Sequence, residues 1–330
     1  SIAVNAPNIV EYLAGEAFLH QPPAIQSFLL KTSILDHFCA SLCAAVIGDA
    51  EPEWDAAKCI NLIVSADLFI VLLDSAAEWY RFHSLFRDML QQRLTASLPV
   101  DAVNELHRRA AVWLADYELF DDALHHALRA NDYDLMAELV GRALPAVLNR
   151  EDRPTLERWL SYIPETYVAS WPELLMLKAW ALQFSWQLGA QAHVLEDIEM
   201  MIPQVGDKTR SAGGLEALLP QVALLRAHQE FFANRPEQAT AMLAEAFPQM
   251  PESWVYIRGG AILYMGLSMQ AAGQAVAAER LLLDKLERQG NRRDQFSLRI
   301  PMTLCFVYMA EGKLEQVRQA AHDLLRLTEG

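Results

Sequence analysis

From about Trp171 onward the chain repeats itself, and that repetition limits its possible folds more than any other feature. Each unit reads as a long helix, a tight turn and a second helix. The turns are expected at Gly189, Asn234, Gly273 and Gly312, at spacings of 45, 39 and 39 residues. A pair of helices this size cannot bury its own apolar face, so successive pairs must stack into a solenoid. Small residues recur around the turns, with Ala227 before Asn234 and Ala239 after it, and Gly266 and Ala278 in the same places around Gly273. Small side chains there let paired helices approach closely. The first unit fits less well, with Leu182 and Val194 at those places.

Upstream the pattern is different. A helix opens near Ile9 to Glu16, and Pro22 and Pro23 suit the first turn of a second, which runs to about Lys31. Ser41 to Ile47 and Pro52 to Ala66 supply two more, with Gly48 as a stop between them. Leu68 to Asp74 is then a short apolar run that reads as a strand and Trp79 to His83 a second strand, joined by a turn from Ser75 to Glu78, which predicts a hairpin. A helix from Ser84 to Ala96 completes a winged-helix arrangement. After Pro99 the chain reads as helix only, at Asp101 to Tyr117, Asp121 to Ala130, Tyr133 to Leu148 and Pro154 to Tyr162, and Pro164 closes that group. The expected fold is mainly α in three parts: a winged-helix domain with a preceding helix at 1–98, a helical arm at 99–168, and an α-solenoid of helical hairpins at 169–330.

Composition excludes several function classes. The chain has 330 residues, 27 of them Lys or Arg against 42 Asp or Glu, a net charge of -15. Such a balance disfavours holding nucleic acid through these residues, because phosphate contacts need clustered cations. The helix from Pro52 to Ala66 would be the groove reader of a winged helix, yet it carries Glu53 and Asp55 against one base, Lys58. Apolar runs such as Leu68 to Leu73 are too short to span a bilayer. Cys39, Cys43, Cys59 and Cys305 show no zinc spacing and read as reduced thiols in a cytoplasmic protein, so no metal is expected. The adjacent His125 and His126 do not share a helix face; with His107 they read as packing and solvated residues, not a catalytic group. No nucleophile triad or carboxylate pair can be argued, so no enzyme activity is expected. The start at Ser1 and the stop at Gly330 read as cuts in a longer protein.

Four stretches carry a family resemblance: "NIVEYLAGEAFLHQPPAIQSFLLKTSILDHFCASLCAAVIG", "ADLFIVLLDSAAEWYRFHSLFRDMLQQRL", "LHRRAAVWLADYELFDDALHHALRANDYDLMAELV" and "LERWLSYIPETYVASWPEL". In this order they resemble the middle of large ATP-dependent transcription activators of the maltotriose-activator kind, STAND-class proteins that often end in a LuxR-type helix-turn-helix. The repeats that follow resemble tetratricopeptide repeats with lengthened helices. The resemblance implies an ATP- and ADP-binding module and a DNA reader elsewhere in the parent protein. No G-x-x-x-x-G-K-[ST] phosphate loop occurs in these residues, so no cofactor is expected to bind here. It also implies a role for His83. The run "RFHSLFRDML" resembles the winged-helix histidine motif of nucleotide switches, in which the histidine touches the β-phosphate of bound ADP. The winged helix is then a lever docked on the protein's own nucleotide-binding domain.

In the repeats, counting from each turn puts Gln183, Trp186, Gln187, His228, Phe231, Arg299, Met302 and Phe306 on the inner wall. Of these, Gln183, Trp186, His228, Phe231, Arg299 and Phe306 are the candidate ligand or partner contacts. Aromatic platforms with amides and one cation suit a sugar, a peptide or another polar inducer. Packing between repeats is the competing explanation at each position. A scaffold that binds a protein or peptide partner is the alternative function. Leu325 and Leu327, near the end of the chain, are expected to leave apolar surface that favours self-association.

Overall fold

The computed structural model describes residues 15–48, 55–66, 68–74, 78–205, 214–290 and 292–328. The expected helix start at Ile9 to Leu13, the start of the Pro52 helix and most of the turn from Ser75 lie outside them. The fold is mainly α with one two-stranded antiparallel sheet, and it divides into two compact units, Ser1–Leu139 and Val140–Gly330.

In the first unit the helices are α1 (Pro23–Thr32), α2 (Ala40–Ile47) and α3 (Ala56–Ser65), then strands β1 (Ile70–Asp74) and β2 (Trp79–Phe82), then α4 (Ser84–Ser97), α5 (Val100–Asp116) and α6 (Phe120–Arg129). Pro23 opens α1, where its missing N–H costs nothing. Asp55 caps α3 by accepting from the Lys58 amide at 3.2 Å. Ile70 pairs with Phe82 and Leu72 with Tyr80, and Phe38 adds a bridge to Tyr80, so a third extended segment flanks the hairpin. This winged helix closes over Phe28, Phe38, Leu42, Ile63, Phe86 and Leu90, all buried. Phe82 joins them from β2, its ring centroid 4.6 Å from that of Phe38. Gly48 stops α2 at φ 74°, and the Arg109 guanidinium donates to the Ile47 carbonyl there at 3.0 Å. A cation on the last carbonyls of a helix satisfies groups the helix itself leaves open.

After α7 (Tyr133–Asn149), the second unit contains α8 (Arg153–Tyr162), the short α9 (Glu165–Val168), and four helical hairpins. The hairpins are α10 (Pro172–Phe184) with α11 (Leu188–Val205), α12 (Gly214–Phe232) with α13 (Pro236–Ala246), α14 (Val255–Ala271) with α15 (Ala275–Gln289), and α16 (Gln295–Ala310) with α17 (Leu314–Thr328). Partners within each pair touch, and the first helices α10, α12, α14 and α16 also touch in succession, forming one continuous wall. Three of the four turns fall where the sequence places them, at Asn234, Gly273 and Gly312, each with positive φ. The first does not. Gly189 is inside α11, and the residue that turns the chain is Trp186, at φ 55°.

All four turns use one hydrogen-bond pattern. Trp186, Asn234, Gly273 and Gly312 each donate three residues back, to Gln183, Phe231, Gln270 and Met309. The next residue donates five back, to Leu182, Glu230, Met269 and Tyr308. This is the Schellman closure, which caps otherwise unmet carbonyls and needs a left-handed residue.

The small residues do the packing the period requires. Ala227, Ala239 and Ala278 are fully buried. A Cβ on Gly266 would stand 2.6 Å from Thr303 Cγ2 and 3.3 Å from Leu282 Cδ1. Thr303 is buried and its hydroxyl is tied to the Arg299 carbonyl at 2.6 Å, so it cannot yield. Gly266→Ala should therefore destabilise the chain by about 1–3 kcal/mol through overpacking. Gly189→Ala, with nothing within 4 Å of its Cβ, should be neutral or stabilising by up to about 1 kcal/mol. Urea unfolding of both variants checks the contrast.

Candidate functional site

The first helices of the repeat unit enclose a cavity of about 250 Å³, and its geometry begins outside the repeats. Asn149, the last residue of α7, donates to the Ser253 carbonyl at 2.7 Å and accepts from the Tyr256 amide at 3.1 Å. Trp254 precedes α14 and offers no side-chain cap, so Asn149 acts as one from a distance. This fixes Tyr256 at the base of α14 and brings Glu151, at the left-handed turn after α7, to the cavity wall.

Two glycines on α14 make room. Gly260 lines the cavity and packs against Leu224, while a Cβ on Gly259 would meet Arg299 Cγ at 2.9 Å. Glycine inside a helix costs about 1 kcal/mol relative to alanine. Here it lets the Arg299 stem pass close to the α14 backbone. The Arg299 guanidinium is 5.5 Å from the Tyr256 ring centroid and 3.6 Å from a Glu151 carboxylate oxygen. That ion pair is long, and neither partner is fully buried.

The opposite part of the wall is aromatic. His228, 1% exposed, has ring centroids of Tyr264 at 4.4 Å, Phe232 at 4.8 Å and Trp186 at 5.9 Å around it. Burial holds its imidazole down to about 4, so it is neutral at physiological pH. Neither ring nitrogen has a hydrogen-bond partner among the described residues. An unmet buried polar group costs about 1–3 kcal/mol, and natural proteins keep few of them. Tyr264 links the two regions: it packs on His228 and feels the Arg299 charge, although burial still pushes its hydroxyl up to about 12.

The neighbouring amides are committed to structure. Gln191 donates to the Gln183 carbonyl oxygen at 2.8 Å and accepts from Gln229 at 3.1 Å, and Gln229 accepts from Arg226, which grips Glu199 with two bonds. The Trp180 indole donates to Gln221 at 2.8 Å. Gln183 therefore presents its amide N–H groups to the cavity with its oxygen already bound.

Of the six candidate contacts, Gln183, Trp186, His228 and Arg299 line this cavity. Phe231 stacks behind it against Tyr264 and Phe232. Phe306 is 46% exposed on α16, away from it. Gln187 and Met302 are also not in the lining. Glu151 and Gly260 escaped the sequence reading, Glu151 because it precedes the repeats and Gly260 because a glycine offers no chemistry to notice.

In the first unit His83 is the residue before α4, with an exposed ring that makes no hydrogen bond among the described residues. Its backbone is fixed at both ends: its amide donates to the Phe69 carbonyl at 2.7 Å, and its carbonyl accepts from Arg87 at 3.0 Å. The side chain thus projects from a rigid strand-to-helix corner. On the same domain Leu62 and Val64 of α3 and Leu72 and Leu73 of β1 are exposed. Lys58 is occupied with Asp55 at 3.3 Å. A face of this chemistry suits protein contact better than DNA.

A second histidine feature was invisible in the sequence. His107 on α5 and His126 on α6 are buried with their Nδ1 atoms 2.8 Å apart, so one ring donates to the other. His125 is exposed, as its position on the helix predicts. Burial lowers His107 to about 4 and His126 to about 3. Both folded values lie below the ordinary value near 6.5, so the neutral pair contributes stability in full above pH 6.5. That stability is lost as pH falls toward 4, because the unfolded chain takes up protons that the folded chain refuses. The free energy of unfolding should therefore be lower at pH 5 than at pH 7. Urea unfolding followed by near-ultraviolet circular dichroism at pH 7 and pH 5 measures the loss.

Among the described residues no helix is long and apolar enough to cross a membrane. Residues 14–102 match the family model described as the MalT winged helix domain, so the first unit carries a domain similar to that one.

Proposed function

We propose that this chain is the switch and sensor portion of an ATP-dependent transcriptional regulator of the STAND class, and that the cavity of its repeat unit receives a small-molecule inducer. The observation that carries the sensor role is His228. It is buried in an aromatic wall with both ring nitrogens unmet, beside an open cavity. A purely structural histidine in that position would be expected to find a partner.

The winged helix supplies the switch in this reading. His83 stands exposed at a fixed corner, where a neutral or charged imidazole can meet a phosphate of ADP held by the parent's own nucleotide-binding domain. Contact in one nucleotide state only is what a two-state device needs, since a ligand shifts an equilibrium by its differential affinity alone. ATP binding and DNA reading by a LuxR-type domain belong to other parts of the parent. The parent is read as cytoplasmic, and no catalysis is assigned to these residues.

Reporter expression from the full-length regulator at matched abundance tests both parts. His83→Ala should raise expression without inducer about tenfold or more, because a hydrogen bond to a charged group contributes about 1.5–3 kcal/mol to the resting state. His228→Phe should leave basal expression unchanged and abolish the inducer response. Unchanged basal expression in the first variant would remove the switch role. A normal response in the second would remove the sensor site.

A further inference from the structure

The cavity's chemistry specifies its occupant more narrowly, an inference that rests on the sensor reading above. Its two fixed charges, Arg299 and Glu151, have opposite sign, stand 3.6 Å apart and are both partly accessible, so the site is neutral overall and its ion pair is loose. An anion would face Glu151, and a cation would face Arg299. A solute carrying both charges on one carbon answers both groups at once, its carboxylate on the guanidinium and its ammonium on the carboxylate.

Next to that polar end the wall turns aromatic and aliphatic, with Phe184, Tyr264, Leu224 and Leu263. Trp186 completes it from a left-handed turn, 64% exposed at the edge of the cavity. A flat ring fits such a wall by stacking. Beyond Tyr264 is His228, whose neutral ring has one N–H and one lone pair with no partner for either among the described residues; both nitrogens are covered, so an occupant reaches them where the exposed Trp186 ring beside them turns aside. A ring that bears its own hydroxyl or N–H would meet that need.

We propose that the cavity binds a free aromatic amino acid whose ring carries a hydrogen-bonding group, with the α-carboxylate on Arg299, the α-ammonium on Glu151 and the ring substituent on His228. The volume of about 250 Å³ limits the ligand to roughly one such molecule, smaller than the usual drug-sized pocket. A saccharide asks for hydrogen bonds along its whole edge, whereas much of this wall offers none.

Calorimetry on the 330-residue chain tests the assignment. L-tyrosine and L-tryptophan should bind. Tyramine, which lacks the carboxylate, 3-(4-hydroxyphenyl)propionate, which lacks the ammonium, and L-phenylalanine, which lacks the ring donor, should each bind at least about tenfold more weakly. These comparisons use the unaltered chain, so they do not depend on a variant folding. Arg299→Met should erase the difference between L-tyrosine and tyramine, and Glu151→Gln the difference between L-tyrosine and the propionate. Binding of maltotriose without binding of the amino acids would overturn this ligand class and leave the sensor reading intact. Binding of none of these probes would overturn the ligand class, whereas the sensor reading falls only on a normal inducer response in His228→Phe. Binding of tyramine and of the propionate as tight as that of L-tyrosine would overturn the roles of Arg299 and Glu151, and equally tight binding of L-phenylalanine would overturn that of His228.

Discussion

Every helical hairpin of the second unit is closed by one residue forced into the left-handed region, and the rest of that unit depends on those closures. The Schellman pattern at Trp186, Asn234, Gly273 and Gly312 sets where each helix stops and in which direction the chain returns. Once the returns are fixed, the first helix of each pair has no place to go but against the first helix of the next, and a continuous wall results. Small residues at Ala227, Gly266 and Ala278 then set how close the helices come. The cavity is a consequence of that spacing, opened further where Gly259 and Gly260 remove side chains from α14.

The sequence makes most of this visible because the left-handed position has a strong preference. Glycine adopts it without a steric cost and asparagine tolerates it, so Gly273, Gly312 and Asn234 mark their turns openly. Tryptophan has no such licence, which is why the first turn was placed at Gly189 and the structure moves it to Trp186. The misplacement is informative. A bulky residue held in a disfavoured conformation persists only where surrounding structure insists on it, and such places gather at binding sites. Trp186 lines a cavity that also contains a buried histidine unmet among the described residues.

What the sequence left hidden shares a different cause. Glu151 reaches the cavity from about a hundred residues away in the chain, where Asn149's bonds to Ser253 and Tyr256 hold the two segments together. His107 and His126 meet across two helices for the same reason. Periodicity reports which face of a helix is apolar, not which polar residue of another helix will stand opposite it. The winged helix was easier to read, since its signals are local: prolines at a helix start, a glycine stop, and an apolar hairpin followed by a helix.

The unmet groups also bear on how a site of this kind can drive a switch. A cavity already satisfied in its empty state binds a ligand with little differential effect on the conformations around it. Here the empty state contains a neutral imidazole with two unused hydrogen-bonding positions, a tryptophan in left-handed backbone and a loose ion pair. The first and third disfavour the empty cavity, and an occupant that supplies the missing partners would remove the penalty of the first and tighten the third. Relief of one buried unmet group is about 1–3 kcal/mol, which is of the order needed to change a population ratio tenfold. In the proposed sensor, that relief makes the arrangement around His228 worth more with a ligand than without one, and such a difference is the only quantity a ligand can transmit.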